Sequence, residues 1–220
     1  SRAHRRRLCT RGEHASTQRR PPRPRRHENA VAGAEHLIEV PQQEDPWPLV
    51  FEIANATREG SWVLVGGLMV HAHAIRAGVE PSRPTSDVDL LLDIGASRVS
   101  DVAGPLQSLG FAPLHGMATA PLHRFTRGEA VVDAMVEPGI SARWSTRSVF
   151  VAPAARQAIG RRDWYVLKGA TKSARIAVPD PLGAVVAKAA AYHVDQRDRG
   201  RHLEDLTVLM ASAGGRRALN

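Results

Sequence analysis

The chain has 220 residues, 43% of them hydrophobic, and a formal net charge of +8. This length and apolar content suffice for one ordinary globular domain with a tail or a small appended subdomain. The single cysteine, Cys9, excludes an intramolecular disulfide and a cysteine zinc site, and no apolar run approaches the roughly 18 residues that span a membrane, so we expect a cytoplasmic protein without a membrane partner.

The positive charge is concentrated at the start of the chain. Residues 1–29 contain ten arginines and two glutamates, so this segment alone accounts for the net charge and the remainder is formally neutral. Its lack of large apolar residues predicts a disordered tail, followed by one domain over residues 30–220. Such a tail could be an electrostatic arm for nucleic acid or a dispensable leader, and the absence of interleaved aromatic residues favours the leader.

The first half of the domain alternates helix-like and strand-like segments. In chain order, the hydrophobic pattern predicts a helix over 49–56, a strand over 62–65, a helix over 68–78, a strand over 87–93 and a helix over 96–109 that is interrupted at Gly104-Pro105. Two further strands are predicted over 122–127 and 129–137, and Gly128 between them indicates a hairpin.

The second half ends in helices. Strands are predicted over 148–152 and 174–179, with 164–168 as a further candidate. Asp180 occupies the position of a helix N-cap and Pro181 that of a first helical residue, before helices over 182–194 and 202–213. The order predicts an α/β (α+β) fold, with a mixed sheet flanked by helices and a helical C-terminal part over 179–220.

The stretch RPTSDVDLLLD, residues 83–93, places two carboxylates in an apolar strand. Because strand side chains alternate, Val88, Leu90 and Leu92 share one face, and Asp87 and Asp89 share the other. Carboxylates this close repel each other, and a divalent cation such as Mg²⁺ or Mn²⁺ removes that cost. The alternative is a pair of solvated aspartates at the start of a half-exposed strand.

About twenty residues earlier, the strand ending VLVGG runs directly into a helix. Gly66 and Gly67 allow a ligand to approach the backbone, and the free N–H groups of a helix start attract phosphate. A strand–glycine–helix turn can also serve packing alone. Followed by an arginine, a threonine and the two aspartates, however, the turn forms a much more specific pattern.

Together, VGGLMVHAH and RPTSDVDLLLD resemble the nucleotidyltransferase superfamily, and most closely its AbiEii/MenT-type bacterial toxins. The resemblance covers roughly residues 47–212, with specific motifs in 63–93 and 180–209. It implies a minimal nucleotidyltransferase fold, a magnesium-held nucleoside triphosphate as substrate, and transfer of a nucleotide to the 3′ end of tRNA. A cognate antitoxin protein is an implied partner.

The same resemblance assigns roles to individual residues. Gly66 and Gly67 match the turn that faces the triphosphate, and Asp87 and Asp89 match the metal-binding pair. Arg83 and Thr85 match the positions before that pair, and Arg83 is a candidate phosphate contact. Asp133, in AVVDAMV, is the candidate third carboxylate, as a metal ligand or as the base for the nucleophile; the alternative is an edge-strand aspartate without a catalytic role.

The C-terminal helices supply the last two candidates. Lys188 lies mid-helix among Ala and Val, so it either meets an anion or extends along the apolar surface to solvent. Lys188 and Asp205 match family positions in the active-site groove, which implies that Lys188 binds triphosphate oxygens and that Asp205 orients it or another basic group, or interacts with the acceptor. Asp205 could instead pair with Arg201 on the surface of the last helix.

Two other functions fit the same residues. One is a nucleotidyltransferase for a small molecule, like those that modify aminoglycosides, which the neutral domain favours and the short chain opposes. The other is a catalytically inactive nucleotidyltransferase fold that binds nucleotide or RNA, which the presence of Asp87, Asp89, Lys188 and Asp205 opposes.

Overall fold

The computed structural model describes residues 33–114, 121, 123–145 and 147–214. The predicted tail, residues 1–29, lies outside the described residues, as do residues 215–220. The helices are α1 (Trp47–Ala56), α2 (Gly66–Ala77), α3 (Ser100–Ser108), α4 (Ala155–Gly160), α5 (Pro181–Val194) and α6 (Gly200–Gly214). The strands are β1 (Glu35–Glu39), β2 (Trp62–Val65), β3 (Asp87–Leu92), β4 (Ala112–Pro113), β5 (Arg124–Arg127), β6 (Ala130–Val136), β7 (Arg143–Trp144), β8 (Arg147–Ser148), β9 (Phe150–Val151), β10 (Arg162–Lys168) and β11 (Ser173–Pro179).

Nine of these strands form one mixed sheet. Its order is β1-β10-β11-β2-β3-β6-β5-β4, and β9 adds to β6. Strand β3 runs antiparallel to β2 and parallel to β6, and β5 returns antiparallel to β6 as the predicted hairpin. The mixed α/β fold and the helical C-terminal part are as the sequence predicts.

The two faces of β3 have the predicted difference in character. Val88, Leu90 and Leu92 are buried in the main hydrophobic core, which also takes side chains from α1, α2 and α3. On the other face, Leu91 packs in a smaller cluster against Ala155 and Ala158 of α4. The aspartates of that face lie beyond this cluster, toward the start of the strand.

The start of α5 also follows its sequence signals. Asp180 is the N-cap, and its side chain accepts a 2.7 Å hydrogen bond from the backbone N–H of Gly183. This bond satisfies one of the otherwise unpaired donors of the first turn, and Pro181 has no N–H to satisfy. The cap therefore fixes where the helix that carries Lys188 begins.

The element predictions differ from the structure in two segments and omit four short elements. Helix α3 continues through Gly104-Pro105, because burial of Val102 and Leu106 offsets the hydrogen bond that the proline cannot donate. The segment 148–152 is divided between β8, which pairs with β7, and β9, which pairs with β6. Strands β1, β4 and β7 and helix α4 were not predicted, since all are short and none has a strong periodic pattern.

Within the described residues, no helix combines the length and the apolar character that crossing a membrane requires.

Candidate active site

A cavity of about 720 Å³ opens where β2, β3 and β6 meet the helices α2, α5 and α6. Its walls contain eight of the nine residues singled out from the sequence, namely Gly66, Gly67, Arg83, Thr85, Asp87, Asp89, Asp133 and Lys188. The ninth, Asp205, is buried behind Lys188 and contacts its ammonium group. Residues more than 120 positions apart in the chain therefore meet in one place.

The aspartate pair lies on the same sheet face as α4, on the part near the start of β3 that α4 does not cover. In the sheet register Asp89 is opposite Val65 of β2 on one side and Asp133 of β6 on the other. Asp87, one pleat nearer the strand start, has a side chain 38% exposed, and one of its oxygens accepts a 2.9 Å hydrogen bond from the Ser86 hydroxyl. The pair thus presents one exposed carboxylate and one half-buried carboxylate to the cavity.

The environment of Asp89 disfavours its negative charge. Burial raises the pKa of Asp89 to about 6, and the neighbouring charges of Asp133 and Asp87 add to this, whereas Lys188 opposes it. Such surroundings destabilise the ionised form of the carboxyl group relative to the protonated form. A bound cation would reverse the balance.

The glycine turn is fitted closely to the aspartate strand. Gly66 has a φ of 72°, and a Cβ at this position would overlap the Asp89 carboxylate. A Cβ on Gly67 would lie 2.7 Å from the Thr85 hydroxyl oxygen. No side chain caps the start of α2, so the first N–H groups of this helix remain for a ligand. Both glycines are thus needed for packing, and they also form part of the cavity wall.

Lys188 and Asp205 form a buried ion pair. Lys188 Nζ lies 2.6 Å from Asp205 Oδ2, and the two side chains are 6% and 3% exposed. The same oxygen accepts a 3.0 Å hydrogen bond from Arg83 Nη2. Asp205 therefore joins two cations, one from α5 and one from the loop before β3.

These contacts decide between the sequence alternatives for the two residues. Extension of Lys188 along the surface to solvent is wrong, because its charged end is enclosed by the fold. Pairing of Asp205 with Arg201 is also wrong, since Arg201 binds Asp195 at 2.9 Å instead. Arg83 is further fixed by His71, whose ring nitrogen lies 2.9 Å from the Arg83 carbonyl oxygen.

Asp133 has a partner that sequence reasoning missed. Arg124 donates to both of its oxygens, from Nε at 2.8 Å and from Nη2 at 2.7 Å. The two residues face each other across the β5–β6 hairpin. The pairing of Arg124 with Asp133 could have been predicted by counting residues outward from the Gly128 turn. Nothing else in the sequence distinguishes Arg124 from the other arginines.

The donor set at the cavity suits a hard divalent cation held jointly with a substrate. Asp87 and Asp89 supply carboxylate oxygens, the ligands that Mg²⁺ and Mn²⁺ prefer, and Mg²⁺ sites commonly use one or two carboxylates together with phosphate and water. No group of three His, Cys, Asp or Glu side chains in the described part of the chain is arranged to hold a metal ion by itself. The two-carboxylate site fits the expected ion, whereas metal binding by Asp133 stays a prediction.

Comparison of the chain with protein-family models, with curated proteins and with solved structures gave no match.

Proposed function

We propose that the protein is a nucleotidyltransferase of the AbiEii/MenT type, which transfers a nucleotide from a nucleoside triphosphate to an acceptor. The observation that carries this proposal is the convergence of an aspartate pair, an uncapped helix start with two glycines, and a buried lysine on one cavity. The first group suits a cation and the other two suit phosphate, which is the combination that a metal–triphosphate complex requires.

Each of these groups has a distinct part in the proposed reaction. The N–H groups at the start of α2 and the Lys188 ammonium bind phosphate oxygens, and Asp205 holds the lysine in position. Asp87 and Asp89 would hold Mg²⁺ or Mn²⁺, which, when bound, neutralises phosphate charge and orients the triphosphate. The acceptor oxygen forms a bond to the α-phosphorus, the bond from that phosphorus to the bridging oxygen breaks, pyrophosphate leaves, and the hydroxyl proton is released to water.

The acceptor that we propose is the 3′ end of tRNA, and a protein with this activity would act as the toxin of a toxin–antitoxin pair. Arg197 lies in the cavity wall at the junction of α5 and α6 and supplies positive charge beside the site, whereas the neighbouring Arg201 is paired with Asp195. Positive charge at this position favours a polyanionic acceptor. A small hydroxyl compound is the competing acceptor, and the experiment below includes it.

The test incubates the protein with each radiolabelled nucleoside triphosphate, Mg²⁺ and total bacterial RNA. We expect one or more of the nucleotides to label a band of tRNA size. Asp87→Ala should abolish labelling while the far-ultraviolet circular dichroism spectrum is unchanged. Asp101→Asn is the matched control, because Asp101 is exposed on α3 and outside the cavity wall, and it should label as the wild type does.

The other outcomes are equally informative. Labelling of an aminoglycoside or another small hydroxyl compound in place of RNA would replace the tRNA acceptor while keeping the reaction. Labelling that persists in Asp87→Ala would contradict the role of the aspartate pair. Metal-dependent nucleotide binding without transfer to any acceptor would identify a binding module instead of an enzyme.

A further inference from the structure

The pair formed by Arg124 and Asp133 has a geometry unlike that of the other carboxylates in the cavity. Both Asp133 oxygens are engaged at 2.7–2.8 Å by one guanidinium group, in the two-pronged arrangement typical of strong arginine–carboxylate pairs. Arg124 Nη2 also lies 3.7 Å from Asp87 Oδ2. The arginine thus stands between the third carboxylate and the aspartate pair.

This arrangement leaves part of the guanidinium available to a ligand. Nε and Nη2 are occupied by Asp133, while Nη1 makes no hydrogen bond to any residue that the structure describes. The Arg124 side chain is 37% exposed and forms part of the cavity wall, whereas that of Asp133 is only 12% exposed. A fixed guanidinium with a free amino group is well suited to a phosphate oxygen.

We infer that Arg124 is a further nucleotide-binding residue, which contacts the triphosphate, and that Asp133 is its positioning residue and neither a metal ligand nor the base. This inference rests on the proposed function and deepens it by naming the group that Arg124 binds. A carboxylate with a guanidinium on both oxygens is a poor site for a second cation, since the two positive charges would repel each other at close range. The metal site then consists of Asp87 and Asp89 alone.

Asp133 performs the positioning because of the hairpin. It is the direct cross-strand partner of Arg124, so the backbone register sets the distance between them. Positioning residues of this kind restrict the conformations of a flexible side chain before the substrate arrives. A lysine at position 124 would supply a positive charge, but it could not make the two parallel hydrogen bonds to Asp133 that fix the orientation of the arginine.

Two equilibrium measurements on the full chain test the inference. The first is the affinity for Mn²⁺, followed by electron paramagnetic resonance. Asp87→Asn should weaken Mn²⁺ binding at least about tenfold, because it removes a proposed ligand. The double variant Arg124→Gln/Asp133→Asn should bind Mn²⁺ at least as well as the wild type, since it removes a competing cation and no ligand. A tenfold loss in the double variant would overturn the inference by making Asp133 a ligand.

The second measurement is the affinity for the α,β-methylene analogues of the four nucleoside triphosphates at saturating Mn²⁺. Arg124→Gln and Asp133→Asn should each weaken binding of the preferred analogue about tenfold, and Arg124→Lys should restore only part of the loss. Unchanged affinity in Arg124→Gln would overturn the inference. Because Arg124→Lys keeps a cation on the strand, it provides the same test if the glutamine variant does not fold.

These experiments distinguish failure of the proposed function from failure of the inference about Arg124. If the wild-type chain binds neither Mn²⁺ nor any of the analogues, the nucleotidyltransferase assignment is wrong, and the role of Arg124 falls with it. If the wild type binds both ligands and only the Arg124 and Asp133 variants depart from expectation, the assignment stands and the inference alone is wrong.

Discussion

The three carboxylates of the cavity differ in what neutralises them. Asp87 is the most exposed, and water can solvate it. Asp133 is held by Arg124 on both oxygens. Asp89 has neither solvent access of that kind nor a close cationic partner, and burial therefore raises its pKa to about 6. At the scale of single residues, Asp89 is the group whose charge most needs an added cation.

Replacement of Asp89 by Asn should stabilise the metal-free protein at pH 8. The pKa of this carboxyl is raised from its ordinary value of 3.8 to about 6, so folding disfavours its ionised form. The stability of the wild type relative to Asp89→Asn is therefore greatest below pH 3.8. It falls by about 3 kcal/mol at most as the pH rises through 6. Urea unfolding at pH 8 should show Asp89→Asn as the more stable protein, and the difference should vanish near pH 4.

Magnesium provides the control for this prediction. Added Mg²⁺ should raise the melting temperature of the wild type at pH 8 and leave that of Asp89→Asn nearly unchanged, because the variant lacks one of the two proposed ligands. If the metal-free wild type is as stable as metal-free Asp89→Asn at pH 8, the folded protein does not disfavour the ionised form of Asp89, and the prediction is wrong.

The ion pair behind Asp89 should respond unequally to loss of its two members. Asp205→Asn leaves Lys188 and Arg83 facing each other without a carboxylate, and should lower the free energy of unfolding by about 3 kcal/mol. Lys188→Met should cost clearly less, because Asp205 keeps its 3.0 Å contact with Arg83. Chemical denaturation of the two variants measures the difference, and equal losses would mean that Asp205 does not join two cations.

At the scale of elements, the start of α2 is the most constrained junction near the site. Helix α2 begins directly at the end of β2, and the turn between them packs against the start of β3. The backbone of Gly66 therefore has to meet two conditions, a left-handed conformation and contact with the Asp89 carboxylate.

A comparison of the glycines at the two ends of α2 separates these conditions. Gly66 has φ 72° and Gly78, the C-cap of α2, has φ 69°, but only at Gly66 would a Cβ overlap another group. Gly78→Ala should cost about 1 kcal/mol of stability through backbone strain. Gly66→Ala should cost at least about 3 kcal/mol and displace Asp89. Thermal melting of both variants gives the answer, and similar losses would contradict the close contact.

The elements near the site were more predictable than those around the sheet edge. Alternation in DVDLLL assigned both faces of β3 correctly, because one face is continuously apolar. Strand β1 could not be anticipated, since its pairing with β10 joins residues about 130 positions apart. Arg124 was missed for a different reason: its role depends on the register of the β5–β6 hairpin, which has to be counted outward from the Gly128 turn.

At the scale of the whole molecule, a buried polar network connects α2 with the distal half of the sheet. His73 is fully buried, and its ring nitrogens lie 3.1 Å from the Tyr165 hydroxyl and 3.0 Å from the Pro179 carbonyl oxygen. Burial lowers the pKa of His73 to about 4, with Arg76 adding to the effect. The folded protein therefore requires a neutral His73.

This requirement predicts part of the acid sensitivity of the fold. The stability contributed by neutral His73 is fully present above pH 6.5 and is lost as the pH falls through about 4, by about 3 kcal/mol. The unfolding free energy of His73→Gln should therefore rise relative to that of the wild type as the pH falls from 6.5 to 4. His193→Gln, at an exposed position on α5, should leave the slope of the wild type unchanged. An unaltered slope in His73→Gln would show that His73 is not the titrating group.

The assembled cavity also shows where sequence reasoning ends. The aspartate strand, the glycine turn and the C-terminal lysine were found as separate patterns, and the family resemblance supplied their connection. The contacts that distinguish alternative roles come from packing between separate helices, as in the Lys188–Asp205 pair, or from the register of a hairpin, as in the Arg124–Asp133 pair. Spacing along a chain does not encode such distances.

The most direct test of the central claim is to locate the bond that the protein breaks. The protein is incubated with Mg²⁺, total bacterial RNA and the preferred nucleoside triphosphate, labelled either on the α-phosphate or on the γ-phosphate. A nucleotidyltransferase should transfer the α label to the acceptor, release the γ label as pyrophosphate, and do neither when Asp87 is replaced by Asn. Transfer of the γ label to any acceptor, or α labelling that survives Asp87→Asn, would contradict this account.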